Sequence, residues 1–380
     1  MPPMPTQLLA IARNTFFESV RQPITLVVVA GAALLIVMSN PLAAFTMGDD
    51  QRMLIDIGLA TVFTGGAVLA AFIATGVLGR EIAQKTALTV ISKPVSRAVF
   101  LVGKYLGVAA ALLLAVFFLS IVFMLTELHS VIQTVRDPVH VPVLVFGFGS
   151  LIIGLIVAVW CNYFYGTVFA STALFVITPL LLVGYLLALN FEPDFTKQPM
   201  LEKFNGQLWL AILGIGMAEC MLAAFAVAFS TRLGQLMTLL ATLATLVVGL
   251  LSDWLFARPI SRIEATWFER AQIAGDVEMI DVVTTLNRVG EEPEQVMRAV
   301  EFATVPLSTF AEGWETLPWF TLKAAYGLVP NFQVLWLSDA LTQDVLIPGS
   351  YLLSAIGYGV LYTFIALALG VLLFQRRELG

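Results

Sequence analysis

Residues 100–125 read FLVGKYLGVAAALLLAVFFLSIVFML, a long apolar run in which Lys104 is the only charged residue. A transmembrane helix needs about 20 consecutive, predominantly apolar residues. Transmembrane β-strands are instead about ten residues long and alternate in polarity, and this run does not alternate. The run therefore predicts a membrane-spanning helix.

Seven further apolar runs of similar length lie along the chain. They are Ile24–Phe45, Met53–Gly79, Val141–Trp160, Thr167–Leu189, Leu208–Phe229, Leu233–Phe256 and Ile347–Phe374. The chain is 59% hydrophobic and only 12% charged, whereas soluble domains carry about 25% charged residues. This composition excludes a soluble domain. It predicts an all-α polytopic membrane protein, a bundle of about eight transmembrane helices.

Positive charges in short loops predict the orientation, because cytoplasmic loops carry an excess of Lys and Arg. With the N-terminus inside, short outer loops hold only Arg52, Arg136, Lys197 and Lys203. The inner segments then hold Arg13, Arg21, Arg80, Lys85, Lys93, Arg97, Lys104, Arg232, Arg376 and Arg377. We therefore expect eight helices with both termini in the cytoplasm.

The chain divides into four parts. Residues 1–22 place Leu8, Leu9 and Phe16 near one face and predict an amphipathic interfacial helix on the cytoplasmic side. Residues 23–256 hold the first seven predicted transmembrane helices, and residues 347–380 hold the last one and a cytoplasmic tail. Between them, the acid-rich residues 257–346 space their apolar residues as helices do. They predict a mainly helical extracytoplasmic domain.

That outer domain ends in residues 317–341, LPWFTLKAAYGLVPNFQVLWLSDAL. Pro330 divides this stretch into two apolar pieces, each too short to span the membrane. Pieces of this length are typical of re-entrant or interfacial helices, and both alternatives stay open.

Motifs for catalysis are missing from the sequence. There is no Walker A motif, no HExxH and no GxSxG. His129 and His140, the only histidines, match no familiar metal-site spacing, and Cys161 and Cys220 are typical of packing residues. We expect no enzyme activity, no metal and no nucleic-acid partner.

Glu219 is the one charged residue in the middle of a predicted transmembrane helix. A carboxylate at this depth costs about 2.5–3.5 kcal/mol on insertion scales, so such residues usually face a bundle interior or a cavity. Glu219 is therefore a candidate for a substrate or proton path. The alternative is a protonated or hydrogen-bonded packing residue.

Residues 80–99 form a polar island on the predicted cytoplasmic side. Glu81, Lys85 and Ser92 fall on one face of a short helix that Pro94 ends, and Ser96 can cap the next helix. Such a segment can bind anionic lipid headgroups through its cations, or it can dock a cytoplasmic partner. The residues themselves leave both alternatives open.

The island resembles a motif of a known family. Glu81, Thr86, Ser92, Lys93, Pro94, Ser96, Arg97, Phe100, Gly103 and Lys104 resemble the E…T…SKPVSR…F..GK signature of ABC transporter permeases of the type 2 exporter class. ARNTFFESVR (12–21) resembles that family's opening helix, and STRLG (230–234) resembles its helix-joining turn. VPNFQ (329–333) and LFQRREL (373–379) resemble its closing segments.

The resemblance implies an exporter subunit in the cytoplasmic membrane of a prokaryote. Its partners would be the lipid bilayer, a second permease subunit (identical or different) and a separate pair of ABC ATPase subunits that bind ATP and Mg²⁺. The chain itself would bind no cofactor. The inner loop would be a coupling helix that contacts the ATPase through Glu81, Lys85, Thr86, Ser92, Lys93 and Arg97, with Pro94 and Ser96 shaping the turn.

One feature departs from that family, whose members often have six transmembrane helices. Six helices plus re-entrant segments are therefore the alternative fold. The alternative functions are a secondary transporter or channel without an ATPase, and a membrane-anchored structural subunit of an envelope complex. A secondary transporter would need polar residues or broken helices near the midplane.

Overall fold

The computed structural model describes residues 4–46, 48–83, 96–132, 137–286, 288 and 294–375. Within these ranges, seven helices are long and apolar enough to cross a membrane. They are α2 (Pro23–Ala43), α3 (Asp50–Ala83), α4 (Arg97–His129), α5 (Val141–Tyr165), α6 (Phe169–Ala188), α7 (Gly206–Ser230) and α11 (Gly349–Gln375). The chain is thus a helical multi-pass membrane protein, as its composition predicts.

The remaining predicted span, Leu233–Phe256, is a bent element. Helix α8 (Gln235–Leu250) is followed by a π-helical turn, Asp253–Ala257, and by α9 (Arg258–Ala274). The axes on the two sides of the break differ by 56°. π-Helical turns often mark functional positions in helices, and here the turn carries Asp253.

Helix α4 is the centre of the bundle and packs against α1 (Met4–Val20), α2, α3, α6, α7 and α11. Helix α1 lies on α4 because two glycines of α4 leave room for it. A side-chain carbon at Gly103 would lie 2.9 Å from Ile11 Cγ2, and one at Gly107 would lie 2.5 Å from the Ala12 carbonyl oxygen. The predicted amphipathic helix is therefore packed into the protein along one face.

Hydrogen bonds define which helix ends lie together. At one end, Arg97 at the start of α4 bonds the last carbonyls of α11, and so does Arg232 just after α7. At the other end, the Ile347 N–H donates to Gln207 Oε1 beside the starts of α11 and α7. The chain between α7 and α11 must therefore pass from the first end to the second, and α8 is the helix that begins this passage.

Residues 257–346 differ in part from the prediction of short helices. They contain α9 and α10 (Thr316–Leu328), but also an antiparallel hairpin of β1 (Val277–Leu286) and β2 (Glu294–Ala303). Two acidic residues of this part, Glu278 and Asp281, lie on the strand β1 and not on a helix. The stretch from Ile280 to Thr285 is rich in β-branched residues, which fit a pleated surface better than a helix.

The stretch after α10 enters the bundle between its helices. The Leu335 carbonyl oxygen would lie 2.7 Å from a side-chain carbon at Gly214, which is eight residues, or about 12 Å, along α7. Trp336 contacts Phe63 of α3 with ring centroids 5.7 Å apart. The short 3-10 helix Phe332–Leu335 is buried at Phe332 and Leu335. Residues 329–337, which we call the inserted segment, therefore lie among the helices rather than across their ends.

Candidate functional site

The residues of the predicted coupling loop are only partly described by the structure. Glu81 falls in the last turn of α3, while Lys85, Thr86, Ser92, Lys93 and Pro94 lie outside the described residues. Ser96 and Arg97 are the two members of the predicted contact set whose side-chain positions are described. They mark where the loop leads into α4.

Ser96 is the N-cap of α4, as its position before the apolar run predicts. Its backbone is extended (φ −67°, ψ 145°), and its hydroxyl oxygen accepts a hydrogen bond from the Val99 N–H at 3.3 Å. Such a cap satisfies one of the N–H groups that a helix start leaves unpaired, and it is typically worth about 1 kcal/mol. The hydroxyl thus fixes the point at which the loop becomes α4.

Arg97 binds the end of α11. Its Nη1 donates to the carbonyls of Phe374 at 3.0 Å and Gln375 at 2.7 Å, and its guanidinium lies 5.8 Å from the centre of the Phe374 ring. The last carbonyls of a helix have no partner within the helix, and cations are favourable there. Arg97 thus links α4 to α11 within the chain, and its contact with a partner stays a prediction.

A second arginine binds the same helix end. Arg232 follows α7 in the STRLG turn, and its Nε donates to the Leu373 carbonyl at 2.9 Å. This contact cannot be predicted from the local sequence, because Leu373 is 141 residues away along the chain. The end of α11 is therefore held from two sides, by the start of α4 and by the turn after α7.

Lys104 connects α4 to α1. Its side chain is only 3% exposed, its Nζ lies 3.7 Å from Glu18 Oε2, and it lies over the Phe100 ring at 5.7 Å. Glu18 belongs to α1, close to its buried residues Thr15, Ser19 and Val20. We call the group of Ser96, Arg97, Lys104, Glu18 and Arg232 the inner junction. It joins α1, α4, the α7–α8 turn and α11 at the point where residues 84–95 lead into α4.

Glu219 lies in the middle of α7 and faces the interior of the bundle, where the insertion cost predicts such a residue to lie. Its side chain is 0% exposed. A side-chain carbon at Gly66 of α3 would lie 2.7 Å from Glu219 Cδ and 2.8 Å from its Oε1. Neither carboxyl oxygen has a hydrogen-bond partner among the residues that the structure describes.

A polar cluster at the break after α8 was not found by the sequence reading. Asp253 Oδ1 accepts hydrogen bonds from the Tyr326 hydroxyl at 2.8 Å and from Asn331 Nδ2 at 2.9 Å. The Asn331 N–H donates to the Tyr358 hydroxyl of α11 at 2.7 Å. This cluster ties the bent helix, the inserted segment and α11 together.

Residues 257–346 hold a separate ion pair. Arg270 Nη1 and Nη2 donate to the two carboxylate oxygens of Glu315 at 2.7 and 3.0 Å, and Trp267 Nε1 donates to Glu315 Oε2 at 2.8 Å. The hydrogen bonds from Arg270 and then from Trp267 lower the pKa of Glu315 to about 2. This pair fixes α9 against the start of α10.

Metal chemistry finds no support in the part of the chain that the structure describes, where no group of three or more His, Cys, Asp or Glu residues could hold an ion. No model of a known protein family matches the chain, and no curated protein matches it by sequence. The protein class that the fold defines is a helical multi-pass membrane protein. The family resemblance of residues 81–104 stays a prediction.

Proposed function

We propose that this chain is the membrane subunit of an ATP-driven exporter of the ABC type 2 class, paired with a second membrane subunit and driven by separate ATPase subunits. The ATPase would dock on residues 80–99 at the cytoplasmic face of a prokaryotic membrane and would carry the ATP and Mg²⁺. The inner junction is the observation that carries the proposal. It supports a role in force transmission because the proposed docking segment leads directly into it.

The connectivity supports eight crossings with both ends of the chain in the cytoplasm. Helices α7 and α11 both end at the inner junction, so the chain between them has to return across the bundle. Helix α8 with 16 residues covers about 24 Å of that path, and the bent continuation supplies the rest. The excess of Lys and Arg in the inner segments favours the cytoplasm for this end.

The junction would convert a push on the docking segment into movement of the bundle. Helix α4 has 33 residues and is therefore about 50 Å long, and it contacts most of the other long helices. Arg97 ties its first turn to α11, and Lys104 ties it to α1. Closure of an ATPase pair would therefore shift α4 with its attached helices, and the bundle would change between two packed states.

A matched pair of charge reversals tests the docking role. Lys93→Glu changes the proposed ATPase contact, whereas Lys197→Glu changes an exposed cation in a short loop at the other end of the molecule. With candidate ATPase subunits co-expressed, we expect Lys93→Glu to lose co-purification and ATP-dependent transport. Lys197→Glu should keep both.

The same experiment separates the alternatives. If no ATPase subunit associates with the wild-type chain and transport persists without ATP, the chain is a secondary transporter or a channel. If the chain instead co-purifies with envelope proteins and moves no substrate, it is a structural subunit. Arg97→Glu is a poor substitute for Lys93→Glu, because it also breaks the bonds to Phe374 and Gln375.

A further inference from the structure

Among the side chains of the described bundle, Glu219 is the one whose burial costs the most free energy. It lies thirteen residues from the start of α7 and eleven from its end, or about 20 Å and about 17 Å from the two ends. Removing an ionised carboxylate from water without a partner costs several kcal/mol. At 0% exposure, and with neither oxygen paired among the described residues, the carboxyl group lies in surroundings that favour its neutral form.

Packing alone does not account for a carboxylic acid at this position. A neutral carboxyl group still has one O–H donor and two oxygen atoms that can accept hydrogen bonds. Each buried polar group without a partner costs about 1–3 kcal/mol. An apolar side chain would avoid this cost. Unpaired groups of this kind in a folded protein call for an explanation, and the property that an apolar residue lacks is the ability to hold and release a proton.

The surroundings decide where such a proton can go. The carboxyl lies against Gly66, so the α3–α7 seam is closed over it. The thiol of Cys220 is the neighbouring titratable group on α7 itself. The other titratable or charged groups of the packed helices are engaged elsewhere or lie toward the ends. Lys104 pairs with Glu18, Asp56 bonds Ser338, the Tyr105 hydroxyl bonds the Cys220 carbonyl, the Tyr362 hydroxyl donates to the Gly327 carbonyl, and Glu127 and Tyr358 lie in the opposite half of the bundle from Lys104.

We propose that Glu219 is a proton-binding site that is linked to the conformation of the bundle. In the closed seam the carboxyl keeps its proton. When α3 and α7 separate at Gly66, water reaches the group, the O–H bond breaks, the proton passes to water, and a hydrated carboxylate remains. The inference is independent of the ATPase proposal, because it rests on the seam and not on the inner junction.

Dicyclohexylcarbodiimide tests this directly in the full-length protein in its membrane. The reagent is apolar and reacts with protonated carboxyl groups. The acid adds across one C=N bond, and the adduct rearranges to a stable N-acylurea without losing any atom. Mass spectrometry of the α7 peptide should show this adduct on Glu219 and none in Glu219→Gln, whose neutral side chain matches the protonated acid in shape.

The pH dependence separates an exchanging proton from a trapped one. We expect the labelling rate to fall in alkaline buffer, by about tenfold per pH unit once the group is mostly ionised. Gly66→Ala would place a methyl group 2.7 Å from the carboxyl carbon, wedge the seam and shift this fall to a lower pH. Absence of the adduct on α7 while other membrane carboxyls react would overturn the proposal. So would a labelling rate that does not change with pH.

Discussion

Gly107→Ala should release α1 from the centre of the bundle. The added methyl carbon would lie 2.5 Å from the Ala12 carbonyl oxygen, 2.5 Å from Thr15 Cβ and 2.9 Å from the Phe16 nitrogen. Two of these three atoms belong to the backbone of α1, so no rotation of a side chain can remove the clash. The helix itself has to move.

The size of the effect follows from these distances. Non-bonded carbon atoms sit about 3.5–4.0 Å apart at their optimum, so α1 has to move by about 1 Å. Overpacking of this kind typically costs about 1–3 kcal/mol. Since about 1.4 kcal/mol corresponds to a factor of ten, the equilibrium between docked and undocked α1 should shift by a factor of roughly 5 to 150.

A buried thiol on α1 can report this shift. Ser19 is 0% exposed, and Ser19→Cys in a chain whose Cys161 and Cys220 are replaced by Ala gives a single reactive group. In membranes with both faces accessible, we expect Gly107→Ala to raise the rate of maleimide labelling by the factor given above. Gly149→Ala is the matched control, because it makes the same exchange within α5 and meets no atom within 4 Å.

The comparison of Gly107→Ala with Gly149→Ala isolates the effect of the clash with α1. Both substitutions remove a glycine from a helix and gain similar helix propensity, so a difference between them measures the clash alone. Equal protection of the Ser19→Cys thiol in the two variants would refute the packing of α1 against Gly107. It would also remove α1 from the inner junction.

Three further outcomes follow from the contacts. Gly249→Ala places a carbon against the Phe332 ring and 2.5 Å from the Pro330 carbonyl oxygen, so it should displace the inserted segment and lower the thermal unfolding midpoint more than the Gly149→Ala control does. The pKa of Glu315 is lowered to about 2 from an ordinary 4.5. The stabilisation from its pair with Arg270 is therefore complete above pH about 4.5 and is lost as the pH falls toward about 2. Tryptophan fluorescence should report this loss in the wild-type protein but not in Glu315→Gln. Arg232→Ala removes a bond to the end of α11, so hydrogen exchange should increase in that last turn and stay unchanged at the first turn.

The transmembrane helices could be predicted because their signal is local. The run Phe100–Leu125 lies within α4, which extends from Arg97 to His129. The predicted bounds are narrower because a hydropathy pattern marks only the apolar part of a helix and not its polar ends. The bend after α8 has a local signal just beyond the run, because Pro259 stands in the first turn of α9 and has no N–H for the helix ladder. The hydrogen bond between Asp253 and Asn331 has none, because Asn331 is 78 residues away and no pattern within the run Leu233–Phe256 contains that partner.

The hairpin of β1 and β2 was missed for a different reason. The spacing of the apolar residues in 257–346 predicts helices, although Val282, Val283, Thr284 and Thr285 follow one another without a break. Such a β-branched stretch favours a strand. Pairing with β2 then outweighs any helical spacing, because it satisfies the backbone of both strands.

The candidate sites show the same division between local and distant contacts. The Ser96 cap could be predicted because Val99 is three residues away. The burial of Glu219 could be predicted from the insertion cost, whereas its contact with Gly66 could not. The bonds of Arg97 to α11 span 277 and 278 residues, so only the structure assigns them.

Helix α11 shows how the two ends of the bundle are connected. It packs closely along α7 and α4, and a side-chain carbon at Gly370 would lie 3.0 Å from Leu101 Cδ2 and 3.1 Å from Ala228 Cα. Polar bonds add to this packing, from Arg97 at one end and from the Asn331 N–H to the Tyr358 hydroxyl in the other half. With 27 residues it is a rod of about 40 Å. If the start of α4 moves, α11 must either break its bonds to Arg97 or move too, and a moving α11 pulls on the inserted segment and on Asp253.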